Sequence, residues 1–158
     1  MPTRELPQPQ DQMDRDILAA VAEYGWFILG IEEDEEGPAY GFTVGLYHSF
    51  DHPEIVITGL PHATSERLLK QMGDEVRAGG RYEVGKKVDG IVEDFPVMFM
   101  PVEKNLHREY LGYAVWFYRS PEFPALQCVW PDKAGRFPNE AGYDLKAHAL
   151  QPLLNEDA

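Results

Sequence analysis

Four side chains able to exchange protons or hold a metal fall within positions 48–54: His48, Asp51, His52 and Glu54. Imidazole and carboxylate are the usual ligands of divalent metals and the usual partners in general acid–base chemistry. They lie inside Tyr40–Leu60, YGFTVGLYHSFDHPEIVITGL, where two β-type runs, Tyr40–Tyr47 and Glu54–Leu60, flank a short loop, His48–Pro53. Two histidines four apart share one face of a helix. Asp51 and Pro53 predict a loop instead, which removes that geometric reason for a metal. His62 lies at the far end of the third strand, ~25 Å away along an extended chain, and joins the same ion only if the chain folds back. The simpler reading is that Asp51 caps a turn, the histidines are solvated and Glu54 bonds backbone, with no metal site.

A second stretch concentrates polar and aromatic residues at a strand end: Trp130-Pro131-Asp132, then Gly135-Arg136-Phe137-Pro138. Asp132 and Arg136 either pair across the turn or line a pocket with Trp130 as its apolar wall; loops at strand ends commonly carry sites. The polar residues of both stretches sit where packing does not require them. The expectation is therefore that the His48–Glu54 and Trp130–Pro138 loops border one cleft. There Glu54 or Asp132 would act as base and His52 as its acid–base partner. His48, Trp130 and Arg136 would contact ligand, Arg136 as an anion anchor.

Other motifs carry less. Gly80–Lys87, GRYEVGKK, approaches a phosphate loop but ends in Lys87 rather than Ser or Thr, with no helix to follow. No G-x-G-x-x-G and no G-x-S-x-G occurs. Cys128 shares its strand face with Leu126 and Trp130, the setting of an inert core thiol.

The elements that would position these residues follow from apolar spacing. Ile17, Leu18, Val21 and Tyr24 predict a helix over about Asp14–Tyr24, capped by Asp11 or Asp14 and stopped by Gly25. Trp26–Ile31 reads as a buried strand, forming a hairpin with Tyr40–Tyr47 across the acidic loop Glu32–Glu36. Glu54–Leu60 is a third strand. Ala63–Ala78 is a helix capped by Thr64 or Ser65, with Leu68, Leu69, Met72 and Val76 on its buried face and Gly79-Gly80 at its end. Arg81–Val92 holds one or two short strands around Asp89-Gly90. Phe95–Val102 is a strand with proline near both ends, which suits a sheet edge. Asn105–Tyr118 is one long helix with Leu106, Tyr110, Tyr113 and Phe117 in a stripe, and Ala125–Trp130 is the last strand. Short early loops predict a single α+β domain, an antiparallel or mixed sheet with helices packed on one face. Residues 1–10 and 155–158 are expected to be tails around a domain spanning 11–154.

A chain of 158 residues, 44% hydrophobic and 12% aromatic, suits one globular core. The net charge of −13 disfavours nucleic acid and anionic membranes as partners. No apolar run is long enough to span a bilayer and no leader is visible, which predicts a cytoplasmic location.

Tyr40, Thr43, Gly45-Leu46, His52-Pro53-Glu54 and Gly59-Leu60, followed by Gln127, Val129-Trp130-Pro131-Asp132, Gly135-Arg136-Phe137-Pro138 and Gln151-Pro152, resemble the bacterial domain-of-unknown-function family 4262. The resemblance runs from about Asp14 to Leu154. It implies a compact bacterial domain and no established activity, so it assigns no catalytic residue. Two functions stay open. One is a non-enzymatic binding or accessory module with a protein or small-molecule partner. The other is a small hydrolase, with or without a metal, using His52, Glu54 and Asp132. A flavin-binding barrel is a weaker third, since no basic cluster awaits a flavin phosphate. No cofactor is assigned.

Overall fold

The computed structural model describes residues 6–35, 37–92, 94–138, 140–144 and 151–154. It is an α+β domain built on a six-stranded mixed sheet in the order β1-β2-β3-β6-β5-β4. The strands are β1 (Phe27–Ile31), β2 (Tyr40–Val44), β3 (Glu54–Thr58), β4 (Lys87–Val92), β5 (Phe95–Pro101) and β6 (Ala125–Val129). Every neighbouring pair is antiparallel except β3 and β6 at the centre, which run parallel with Glu54 opposite Ala125 and Val56 opposite Gln127. Of the expected N-terminal tail, residues 6–10 form no helix or strand and Pro7 is buried; residues 1–5 and 155–158 lie outside the described residues.

Local signals explain much of this. Helix α1 (Gln12–Tyr24) begins where the Asp11 carboxylate accepts the Asp14 N–H and ends at Gly25 in the left-handed conformation, φ 104°. The hairpin β1–β2 forms in unbroken register from Phe27 opposite Val44 to Ile31 opposite Tyr40. Helix α3 (His62–Arg77) buries Leu68, Leu69, Met72 and Val76. It lies close to the sheet because Gly73 carries no side chain: a Cβ there would fall 2.2 Å from the Trp26 indole.

The core has two parts, one per sheet face, as alternation along β3 requires. Ile55 and Ile57 pack with α3, Trp26, Phe99 and Cys128. Val56 packs on the other side with α1, Phe42, Val44, Phe117 and Phe123. Helices therefore cover both faces, not one. Leu126, Cys128 and Trp130 do share a face, in the α3 cluster, and burial drives the Cys128 thiol pKa upward.

Several expected boundaries move. The strand from Tyr40 stops at Val44, because Gly45 adopts φ 115° and starts a short helix, α2 (Leu46–Phe50). Most of the expected His48–Pro53 loop is thus the end of α2, with Asp51 as its left-handed C-cap. Strand β5 is interior, between β4 and β6, and β4 is the edge. Its prolines are tolerated because Pro96 faces the irregular stretch between Val88 and Val92, while Pro101 is the last residue. The long helix at Asn105–Tyr118 is broken into a 3-10 turn (Lys104–Leu106), α4 (His107–Tyr110) and α5 (Gly112–Tyr118), parted at Leu111 with φ −120° and ψ 39°. Pro61, rather than Thr64 or Ser65, stands at the start of α3, with no side-chain cap.

Candidate functional site

Glu54 opens β3 and its side chain is fully buried. One carboxylate oxygen accepts the Thr43 hydroxyl at 2.8 Å and the Leu46 N–H at 3.2 Å. The other accepts the N–H groups of Gly45 at 3.0 Å and Tyr47 at 3.2 Å, together with the Tyr118 hydroxyl. These N–H groups are the unpaired donors of the α2 N-terminus, where a negative charge also meets the helix dipole favourably. Burial raises the Glu54 pKa; the bonds from Tyr118, Thr43, Gly45 and Tyr47 oppose that rise. The carboxylate is saturated with donors and enclosed, so it holds α2 onto the sheet and has no free lone pair to offer a substrate. The backbone-bonding reading of Glu54 therefore holds.

His52 is buried rather than solvated. Its Nδ1 lies 2.8 Å from Pro53 O and its Nε2 accepts the Tyr82 N–H at 3.0 Å, which fixes the neutral tautomer with the proton on Nδ1. Burial lowers its pKa, and the Arg81 charge adds to that against the bond to Pro53. Both ring nitrogens are occupied. His48 turns to the opposite face, edge-on to Phe117 at 5.5 Å, whereas His52 is edge-on to Tyr82 at 6.0 Å. Among the described residues, no group of three or more His, Cys, Asp and Glu side chains is placed to hold a metal ion.

Asp132 organises its own loop. It is buried, and its oxygens accept the N–H groups of Ala134 at 2.9 Å, Arg136 at 2.8 Å and Asp144 at 3.0 Å, with the Arg136 guanidinium 3.5 Å away. Burial pushes its pKa up, but these bonds outweigh it and hold the carboxyl below its usual range. Asp132 and Arg136 thus pair across the turn. The Trp130 indole N–H donates to Thr58 O at 2.7 Å, which places this loop beside the C-terminal end of β3. Glu54 stands at the other end, four strand steps or roughly 13 Å away along the main chain. The parallel register of β3 and β6 therefore separates the two loops that were expected to share a cleft.

What the structure does assemble at the Thr58 end is a cleft of about 360 Å³, bordered by Glu32, Asp34, Tyr40, Thr58, Glu109 and Tyr110 among others. Tyr40 and Tyr110 meet edge to face at 5.2 Å. Burial, then Tyr110, Glu109 and Asp34, push the Tyr40 phenol up to about 12, so both ring and hydroxyl stay neutral. The wall is acidic and aromatic. Sequence reading places Glu32 and Asp34 in a solvated turn, Tyr40 and Thr58 in two strands and Tyr110 in a helical stripe, and none of them in a site. The available signal was Tyr40 following closely on the run of acids.

Pro152 also borders the cleft. It belongs to a segment pinned by two buried glutamines. Gln127 donates to Pro152 O at 2.8 Å and accepts the Leu154 N–H at 2.8 Å. Gln151 accepts the Trp130 N–H at 2.9 Å and donates to Trp130 O at 2.8 Å.

The architecture is that of a compact mixed-sheet α+β domain with a cleft at the C-terminal end of a central strand. Residues 20–144 match the family described as "Domain of unknown function (DUF4262)", and the chain belongs to that family. No curated protein and no solved structure matched the chain at a significant level. No helix among the described residues is long and apolar enough to cross a membrane.

Proposed function

We propose that this protein is a binding or accessory module rather than an enzyme, and that it recognises a cationic group. The observation that carries this reading is the cleft at Thr58, where Glu32, Asp34 and Glu109 stand around the Tyr40–Tyr110 pair. An ammonium or guanidinium group gains there from carboxylates and from the faces of aromatic rings, the latter worth ~0.5–1 kcal/mol each at exposed sites. The net charge of −13 draws cations toward the molecule and repels phosphates. The hydrolase reading has no comparable support, since Glu54 and His52 are fully engaged and Asp132 lies at the other end of β3.

The test is a titration with N-acetyl-lysine amide, followed by the NMR signals of Tyr40 and Tyr110. The expected result is binding in about the millimolar range, weakened several-fold by Glu109→Gln and by added salt. The uncharged norleucine analogue should leave the signals in place. Equal responses to the lysine and norleucine compounds would remove the reading.

A further inference from the structure

The sheet has two edges, and they differ. On β4 the register breaks between Val88 and Val92, Gly90 takes φ 89°, Lys87 and Asp89 are exposed, and the Gln71 side chain bonds Gly90 O at 2.8 Å. Those are the devices that blunt an edge against further pairing. On β1 none is present. Its residues, Phe-Ile-Leu-Gly-Ile, carry no charge and no proline, and the register with β2 is unbroken.

The ladder shows which groups β1 leaves open. Gly59 N–H donates to Ala39 O at 2.7 Å, so alternate residues of β2, Gly41 among them, bond toward β3. Tyr40, Phe42 and Val44 then bond toward β1, through Ile31, Leu29 and Phe27. The N–H and C=O groups of Ile28 and Gly30 point away from the sheet, and no hydrogen bond among the described residues engages them. Gly30 is exposed.

The open edge runs into the acidic cleft, since Ile31 and Glu32 border it. Phe27, Leu29 and Ile31 face the same side of the sheet as Tyr40 and Tyr110. A residue paired next to Ile31 on an added strand would project on that side, within reach of Glu109 and the tyrosine pair. Resting on the cation reading above, we propose that β1 accepts an extended segment of a partner protein as a seventh strand, and that a lysine or arginine of that segment enters the cleft beside Ile31. Charge decides between occupants. A second copy would bring its own charge of −13 and its own acids after β1, whereas a basic segment complements Glu32, Asp34 and Glu109.

The experiment selects peptides from a random decapeptide display library on the full folded chain, then tests one selected synthetic peptide. The expected peptides alternate β-branched or aromatic residues and carry one lysine or arginine at a fixed position. Amide exchange at Ile28 and Gly30 should slow when the peptide is added. N-methylation along the peptide should cost about tenfold in affinity at every second position, as expected for loss of single edge hydrogen bonds. That pattern needs no change to the protein. Ile28→Pro, which removes an outward donor but none of the β1–β2 bonds, should give a similar loss.

Sensitivity to Glu109→Gln without the period-two pattern would overturn strand addition and leave the cation reading standing. A period-two pattern for peptides without a basic residue, indifferent to Glu109→Gln, would overturn the cation reading. A dimer of the free protein that Ile28→Pro dissolves would assign the edge to a second copy and overturn the peptide occupant.

Discussion

At the scale of single residues, the decisive one is Glu54. A buried carboxylate ringed by five donors resembles a catalytic group in sequence, because His48 and His52 beside it are the usual partners of acid–base chemistry, yet neither histidine bonds it here. The difference lies in what surrounds it: Thr43, Tyr118 and the first N–H groups of α2, brought together from three parts of the chain. Glu54→Gln turns one acceptor oxygen into a donor that faces donors. It should cost about 2–4 kcal/mol in urea denaturation, the range for losing bonds to a buried charge and stranding their N–H groups. A loss under about 1 kcal/mol would mean that water reaches the cradle.

At the scale of elements, legibility tracked how local the cause was. Helix α1 was readable because its cap, its stripe and its terminating glycine all lie within its own sequence. The buried face of α3 was readable for the same reason, and it gives a direct measure. Leu69 is fully buried between α3 and the sheet, so Leu69→Ala should cost ~2–5 kcal/mol; a change below ~1 kcal/mol would show the stripe to be loosely packed. Helix α2 was unreadable because the alternation of Phe42, Val44 and Leu46 continues through the turn at Gly45, and because the group that holds the helix, Glu54, comes after it in the chain. The stripe of Leu106, Tyr110, Tyr113 and Phe117 is genuine, but nothing in its period announces the break at Leu111. Pro96 and Pro101 signalled an edge for β5 only because a bulge in a neighbouring strand cannot be read from β5 itself. The separation of the two loops has one cause as well: β3 and β6 are buried along their whole length, and a continuously buried run does not say whether its neighbour is parallel or antiparallel, whereas an antiparallel pairing would have brought Asp132 toward Glu54.

At the scale of the whole molecule, the buried histidines set how stability responds to acid. His52 and His107 are both buried, and burial is the largest influence lowering each pKa. Each lies below 6.5 when folded, so between that folded value and about 6.5 the unfolded chain binds more protons than the folded one. Stability should therefore be full above about pH 6.5 and fall as the pH drops below it. Glu54, with its pKa raised, acts in the opposite sense, so the histidine part is read as a difference. Denaturation midpoints at pH 7.5 and 5.5 should separate more for the natural chain than for His52→Gln. Equal separations would show that His52 takes up its proton without unfolding.

The central position of β6 has a consequence for synthesis. The hairpin β1–β2 and strand β3 leave the ribosome long before residues 125–129, the strand that pairs with both β3 and β5. Until then the inner edge of β3, Glu54-Ile55-Val56-Ile57-Thr58, has no neighbour on one side, and the two halves of the sheet are joined only through the chain. Closing the sheet means inserting a late strand between two early ones, a pairing of high sequence separation and slow formation. The nascent protein therefore carries an apolar, pairing-competent edge while residues 59–124 are made, the stage at which chaperones and wrong partners compete for it.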